Sequence, residues 1–75
     1  MNYAYDKKIG NKIRELREKK RWTQEELAAR LQTEGFDYLT RSALAKIEVG
    51  QRHIYAAEMK AFKEILGTTY DELFV

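Results

Sequence analysis

The sequence predicts a wholly helical domain of five helices, and three observations carry that prediction. Apolar residues recur in several stretches at the 3.6-residue spacing of an amphipathic helix. Threonine is followed three residues later by glutamate at Thr23/Glu26 and at Thr69/Glu72, the spacing at which each side chain covers a backbone N–H near the other. No run alternates apolar and polar residues for the length of a strand; Tyr38-Leu39-Thr40 is the only strand-like candidate and is too short. Proline is absent, so helices run unbroken and glycine is the main punctuation.

The first helix is expected from about Asp6 to Lys20, with Ile9, Ile13 and Leu16 at i, i+4 and i+7 as its core stripe. Gly10 interrupts it at a cost of about 1 kcal/mol against alanine, so another element should pack closely there. Trp22 stands just before the Thr23 cap, where a hydrophobic staple would meet Leu27; anchoring, not stacking on a base, is its expected role. The second helix opens at Thr23, buries Leu27, Ala28 and Leu31, and runs through Glu34. Gly35 suits the left-handed position after it, with Leu31 and Phe36 in the apolar contact of a Schellman close. Tyr38 and Leu39 lead to a third helix that opens at Thr40 and stops at Gly50. It buries Leu44 and Ile47 and turns Arg41, Ser42, Ala45 and Lys46 outward. Gln51, Arg52 and His53 make a polar loop. The fourth helix spans Ala56 to Leu66, with Met59, Phe62, Ile65 and Leu66 in the core. Its start is odd, because Tyr55 stands where a short polar cap is usual. A last short helix opens with Thr69 and Glu72 as a second capping box and sends Leu73 and Phe74 into the core.

Seventy-five residues make one small domain, too short for a deep cleft between subdomains. A hydrophobic fraction of 44% with 35% charged residues fits a soluble helix bundle and not a disordered tail. The chain has no cysteine, hence neither a disulfide framework nor a cysteine-based zinc site, and it suits a reducing cytoplasm. No apolar run approaches the roughly 20 residues that span a bilayer, and the first residues lack the basic start and apolar block of a signal peptide. His53 is the only histidine; with no second histidine, cysteine or acidic partner at ligand spacing it reads as a loop residue, not a metal ligand. No nucleophile–base pair and no phosphate-cradling glycine loop is visible, so neither an enzyme, a cofactor nor a small-molecule ligand is expected. The net charge of +2 is unevenly spread: residues 1–21 hold eight Lys/Arg against three carboxylates, a net +5, and the remainder carries −3. Such a segment is either a solvated helix face or a footprint for phosphates.

The stretch T-Q-E-E-L-A-A-R-L from Thr23, followed by a helix ending K-I-E-V-G at Gly50, resembles the lambda-repressor-like (Cro/Xre type) helix-turn-helix domains of bacterial and phage regulators. The resemblance extends from about Ile9 to Phe74, with the helix-turn-helix itself at about 23–49. One departure is plain: the family's turn between the second and third helices is tighter, and Gln32 to Leu39 adds several residues. The resemblance implies a compact five-helix bundle that binds double-stranded operator DNA, as a homodimer on two-fold sites, through the helix starting near Thr40. It implies a sequence-specific transcriptional regulator, a repressor first. The alternative is a protein-interaction module or antitoxin-like partner that keeps the fold without the DNA. Arg41, Ser42 and Lys46 match the positions that touch base edges. Arg41 can donate two bonds to guanine O6 and N7, or else hold a phosphate, and Lys46 can reach a guanine or a nearby phosphate. Gln24, expected to point its amide outward from the start of the second helix, Thr40 and Arg52 match phosphate-contact positions. Arg17 matches a position that pairs with the glutamate of I-E-x-G, here Glu48, through two parallel bonds.

Overall fold

A computed structural model describes residues 3–74. They form five helices: α1 (Tyr3–Lys19), α2 (Gln24–Thr33), α3 (Arg41–Glu48), α4 (Ala56–Leu66) and α5 (Tyr70–Leu73). No strand occurs among the described residues, and no helix is long and apolar enough to cross a membrane. α3 lies across α1 and α2, α4 packs on the same two helices, and α5 returns to α1.

The core follows the stripes. Ile9, Ile13 and Leu16 of α1 meet Leu27, Ala28 and Leu31 of α2, Leu44 and Ile47 of α3, Met59, Phe62 and Leu66 of α4, and Leu73 of α5. α1 begins three residues before the expected Asp6, which places that carboxylate in the helix's first turn, where the backbone dipole favours negative charge. At Gly10 a Cβ would stand 2.1 Å from the carbonyl oxygen of Ile47, so α1 touches the backbone of α3 there, as the helix-weakening glycine suggests. α1 ends at Lys19, and in the turn that follows Arg21 takes a φ of 60°, left-handed without the help of a glycine.

α2 opens with a complete capping box. The Glu26 N–H donates to Thr23 Oγ1 at 3.1 Å, and the Thr23 N–H donates to Glu26 Oε1 at 2.9 Å. The bond from the Thr23 N–H, assisted by the Thr23 side chain, holds the Glu26 carboxyl below its usual range. The helix ends at Thr33 with Glu34 as its cap, one residue short of the expectation. Gly35 then takes φ 99°, and the N–H groups of Gly35 and Phe36 donate to the carbonyls of Gln32 (3.0 Å) and Leu31 (3.1 Å). This is the two-bond Schellman close, with Phe36 half-buried against the core. Leu39, which no helical stripe includes, is fully buried, and Gln32 Nε2 donates to its carbonyl at 3.1 Å. The longer connection is therefore a packed structure in its own right.

Two expectations at the far end need correcting. Thr69 caps α5 by accepting the Glu72 N–H at 3.1 Å, but the Glu72 carboxylate takes the hydroxyl of Thr68 instead of returning to the Thr69 backbone, so the box is only half formed. Phe74 lies outside the core at 42% exposure, because α5 is a single turn and aims Leu73, its one core residue, inward. Phe74 stacks instead on Tyr5, with ring centroids 6.1 Å apart, and tilts against Tyr70 at 6.3 Å.

Candidate nucleic-acid interface

The helix-turn-helix is anchored by a carboxylate at the end of α3. Glu48 is 1% exposed, and Arg17 of α1 approaches it with Nε on Oε2 at 2.7 Å and Nη2 on Oε1 at 3.1 Å. The third guanidinium edge is used as well: Nη1 donates to the carbonyl of Trp22 at 2.6 Å. The hydrogen bond to Glu48 holds the guanidinium pKa above its ordinary value, burial opposing it. One side chain of α1 thus fixes the end of α3 and the entry to α2 together. Trp22 itself is half-buried and carries the guanidinium of Arg30 over its ring at 4.0 Å.

Gln24 joins the same cluster, against the expectation that its amide points outward. Its Nε2 donates to Glu48 Oε1 at 3.1 Å and the side chain is half-buried. The physical reason is satisfaction. A buried carboxylate has room for more than the two bonds of one guanidinium, and the amide at the start of α2 supplies the next. Thr40, the cap of α3, is exposed and accepts the Ala43 N–H at 3.3 Å, leaving its own hydroxyl proton to donate elsewhere.

Arg41, Ser42 and Lys46 lie on the outer face of α3, all exposed and without a hydrogen-bond or ion-pair partner among the described residues. Ala45 beside them is half-buried, and Val49 at the end of the helix is exposed. Gly50, at φ 79°, presses the chain against Lys7, where a Cβ would meet the lysine Cα at 2.7 Å. The loop after α3 is in this way bound to the first turns of α1.

Arg52 differs most from the expectation of a guanidinium facing phosphates. It turns inward onto Glu58, with Nη1 on Oε1 at 2.9 Å and Nη2 on Oε2 at 3.0 Å, and Nη1 also donates to the carbonyl of His53. Glu58 is fully buried, and an unpaired carboxylate there would be costly, so the arginine six residues earlier is drawn in. The Tyr55 N–H donates to Oε1 at 3.1 Å. Burial pushes the Glu58 carboxyl up, but Arg52, the Tyr55 N–H and the nearby Tyr38 phenol together hold it below the usual range, and the carboxylate in turn raises the phenol. The Glu58 signal was present in the sequence: it stands four and eight residues before Phe62 and Leu66, a charge on an apolar stripe.

His53 lies in the loop between α3 and α4, as expected, and finds a distant partner there: Nδ1 lies 3.3 Å from Oδ1 of Asp6, 47 residues away, and Asp6 Oδ2 is buried without a partner. Part of the positive charge of α1 is balanced locally: Lys12 and Lys19 share Glu15, Arg14 pairs with Glu18, and Arg17 points inward onto Glu48. Lys7, Lys8, Lys20 and Arg21 form no ion pair among the described residues, so the segment keeps a net positive charge.

Two short helices meeting at a capped turn, the second carrying an open, cationic outer face, define a helix-turn-helix domain. Residues 13–73 match the helix-turn-helix family model of Cro/C1 type, and the chain belongs to that family, one of DNA-binding domains. No curated protein and no solved structure matches the chain.

Proposed function

We propose that this domain is a sequence-specific transcriptional regulator, a repressor, that reads operator DNA with α3. The observation that carries this reading is a contrast among arginines. Arg17 and Arg52 are each neutralised by a buried glutamate, whereas Arg41, with Lys46 a turn later, stands on the exposed face of α3 with nothing to balance it. In this reading Arg41 donates to a guanine edge, Ser42 and Lys46 complete the base contacts, and Thr40 gives its free hydroxyl proton to a phosphate. Gln24 contributes through the one amide hydrogen that Glu48 leaves.

The domain acts on DNA as a homodimer. Its longest extent is 28 Å, shorter than the roughly 34 Å between half-sites one helical turn apart, so one copy engages one half-site. The exposed cluster of Tyr5, Tyr70 and Phe74 supplies the contact between copies. Random-oligonucleotide selection followed by gel shifts across salt concentrations tests all of this. An enriched inverted repeat, bound more tightly than random duplex, is the expected result; a protein that shifts no DNA at any salt refutes the reading in favour of an interaction module.

A further inference from the structure

Among the described residues, the exposed tyrosine and phenylalanine side chains fall into two groups, and only one is used above. Tyr5, Tyr70 and Phe74 sit together on α1 and α5, while Tyr38 and Tyr55, at 56% and 61% exposure, flank the recognition helix. Tyr38 lies in the longer connection before α3, and its carbonyl accepts the N–H of Thr40, the cap from which Arg41 follows. Tyr55 is the first residue of the α4 entry, reached from α3 through the short loop that holds Arg52.

Both rings are held in place from below. The Tyr38 ring lies edge-on to the half-buried Phe36 with centroids 6.1 Å apart, and the Tyr55 backbone N–H donates to Glu58. The Tyr55 ring lies edge-on to His53 at 5.8 Å, with the Arg52 guanidinium over it at 5.5 Å. Rings fixed before binding give contact area without the usual ordering cost. Glu58 is fully buried and neutralised by Arg52, so the support beneath the rings presents no bare anion; Asp37, exposed beside Tyr38, is a carboxylate that works against the surface.

We propose that Tyr38 and Tyr55 form a ledge that rests on the deoxyribose–phosphate strand bordering the base pairs read by α3. This rests on the DNA-binding reading above and extends its footprint. The chemistry differs between the two residues. Tyr38 offers its ring to the apolar face of a deoxyribose. Tyr55, whose hydroxyl makes no cap hydrogen bond, donates to a phosphate oxygen. The partner is fixed by continuity: the ledge adjoins the N-terminal end of α3, where that helix enters a groove, and the strand bordering the groove is the surface that lies there. The added residues between α2 and α3 thereby acquire a role, because they carry Tyr38 to its position.

Hydroxyl-radical footprinting of the full chain on a selected duplex reads this directly, since cleavage reports deoxyriboses one by one. The wild type should protect the sugars over the α3-read base pairs and a further group on the flanking strand. Tyr38→Ala should uncover the flanking group alone and weaken binding about five- to tenfold on selected and random duplex alike. Tyr38→Phe, which keeps the ring, should keep that protection and lose less than about threefold. Thermal melting accompanies each variant. Should Tyr38→Ala fail to fold, Tyr55→Ala, at a more exposed side chain, takes its place and should uncover part of the same group. Unchanged protection, with affinity within about twofold of wild type, overturns the ledge while Arg41→Ala still reports on the DNA reading. A wild type that protects no sugars overturns both.

Discussion

Glu48 and Glu58 are both buried, both hold an arginine through two bonds, and stand at either side of the loop that follows α3. They differ in what surrounds the cation. Arg17 is enclosed, 8% exposed, with its third edge on the Trp22 carbonyl and Gln24 closing over the shared carboxylate. Arg52 has its side chain about a quarter open to solvent, against two exposed tyrosines. The same pair of residue types therefore builds two different devices. The first is a core joint of three helices. The second is a peripheral clasp that ties the loop after α3, through Arg52, to the start of α4. A buried ion pair is costly to break mainly because of the charge left behind, and that charge can escape to water only in the second case.

Removing each carboxylate is the most direct way to break the comparison. Glu48→Ala strands an enclosed guanidinium and should cost about 3–5 kcal/mol. In a domain whose total stability is roughly 5 kcal/mol, that leaves much of the chain unfolded at 25 °C. Urea denaturation followed by circular dichroism would measure it. Glu58→Ala should cost less, about 1–3 kcal/mol, because Arg52 can turn to solvent. Equal losses for the two would mean that enclosure does not distinguish the pairs.

The contrast between paired and unpaired arginines predicts effects on binding next. Arg41→Ala should cost about 1–3 kcal/mol on the preferred site and relax preference at one base pair. Arg52→Ala separates two views of that residue. An arginine facing a phosphate would lower the salt slope of binding by about one unit when removed. An arginine spent on Glu58 should leave the slope nearly unchanged and lower the melting temperature instead. A slope reduced by a full unit would show that DNA draws Arg52 away from its carboxylate.

The smallest effect concerns pH. Glu58 has its folded-state pKa held below the ordinary carboxyl value, so its contribution is fully present above the unfolded value of about 4.3 and is lost as pH falls through the folded one. Wild-type stability should thus fall more steeply than that of Glu58→Gln as pH drops from about 5 to 3. Parallel acid limbs in the two proteins would remove Glu58 from the acid response.

Local rules made most of the architecture readable. Thr23, Thr40 and Thr69 as helix starts, the stripes through Ile13, Leu27, Leu44 and Phe62, and the Gly35 close all follow from spacings of three to five residues. Such spacings state what neighbours along the chain can satisfy for one another. Arg17 with Glu48 was reached through family resemblance, since 31 residues separate them and no period links them. The positions of Arg41, Ser42 and Lys46 on the outer face of α3 needed only the helix and its buried side.

Only the folded chain decided which polar groups are spent on one another. Gln24 faces Glu48, Arg52 turns onto Glu58, His53 meets Asp6 across 47 residues, and Phe74 stays outside while Leu73 goes in. Composition fixes how many charges a chain carries, and periodicity fixes which helix face each one occupies. Whether a given arginine is left for DNA depends on which buried carboxylates its neighbours in space must neutralise, and that is settled by packing, where an unpaired charge costs far more than it does in water.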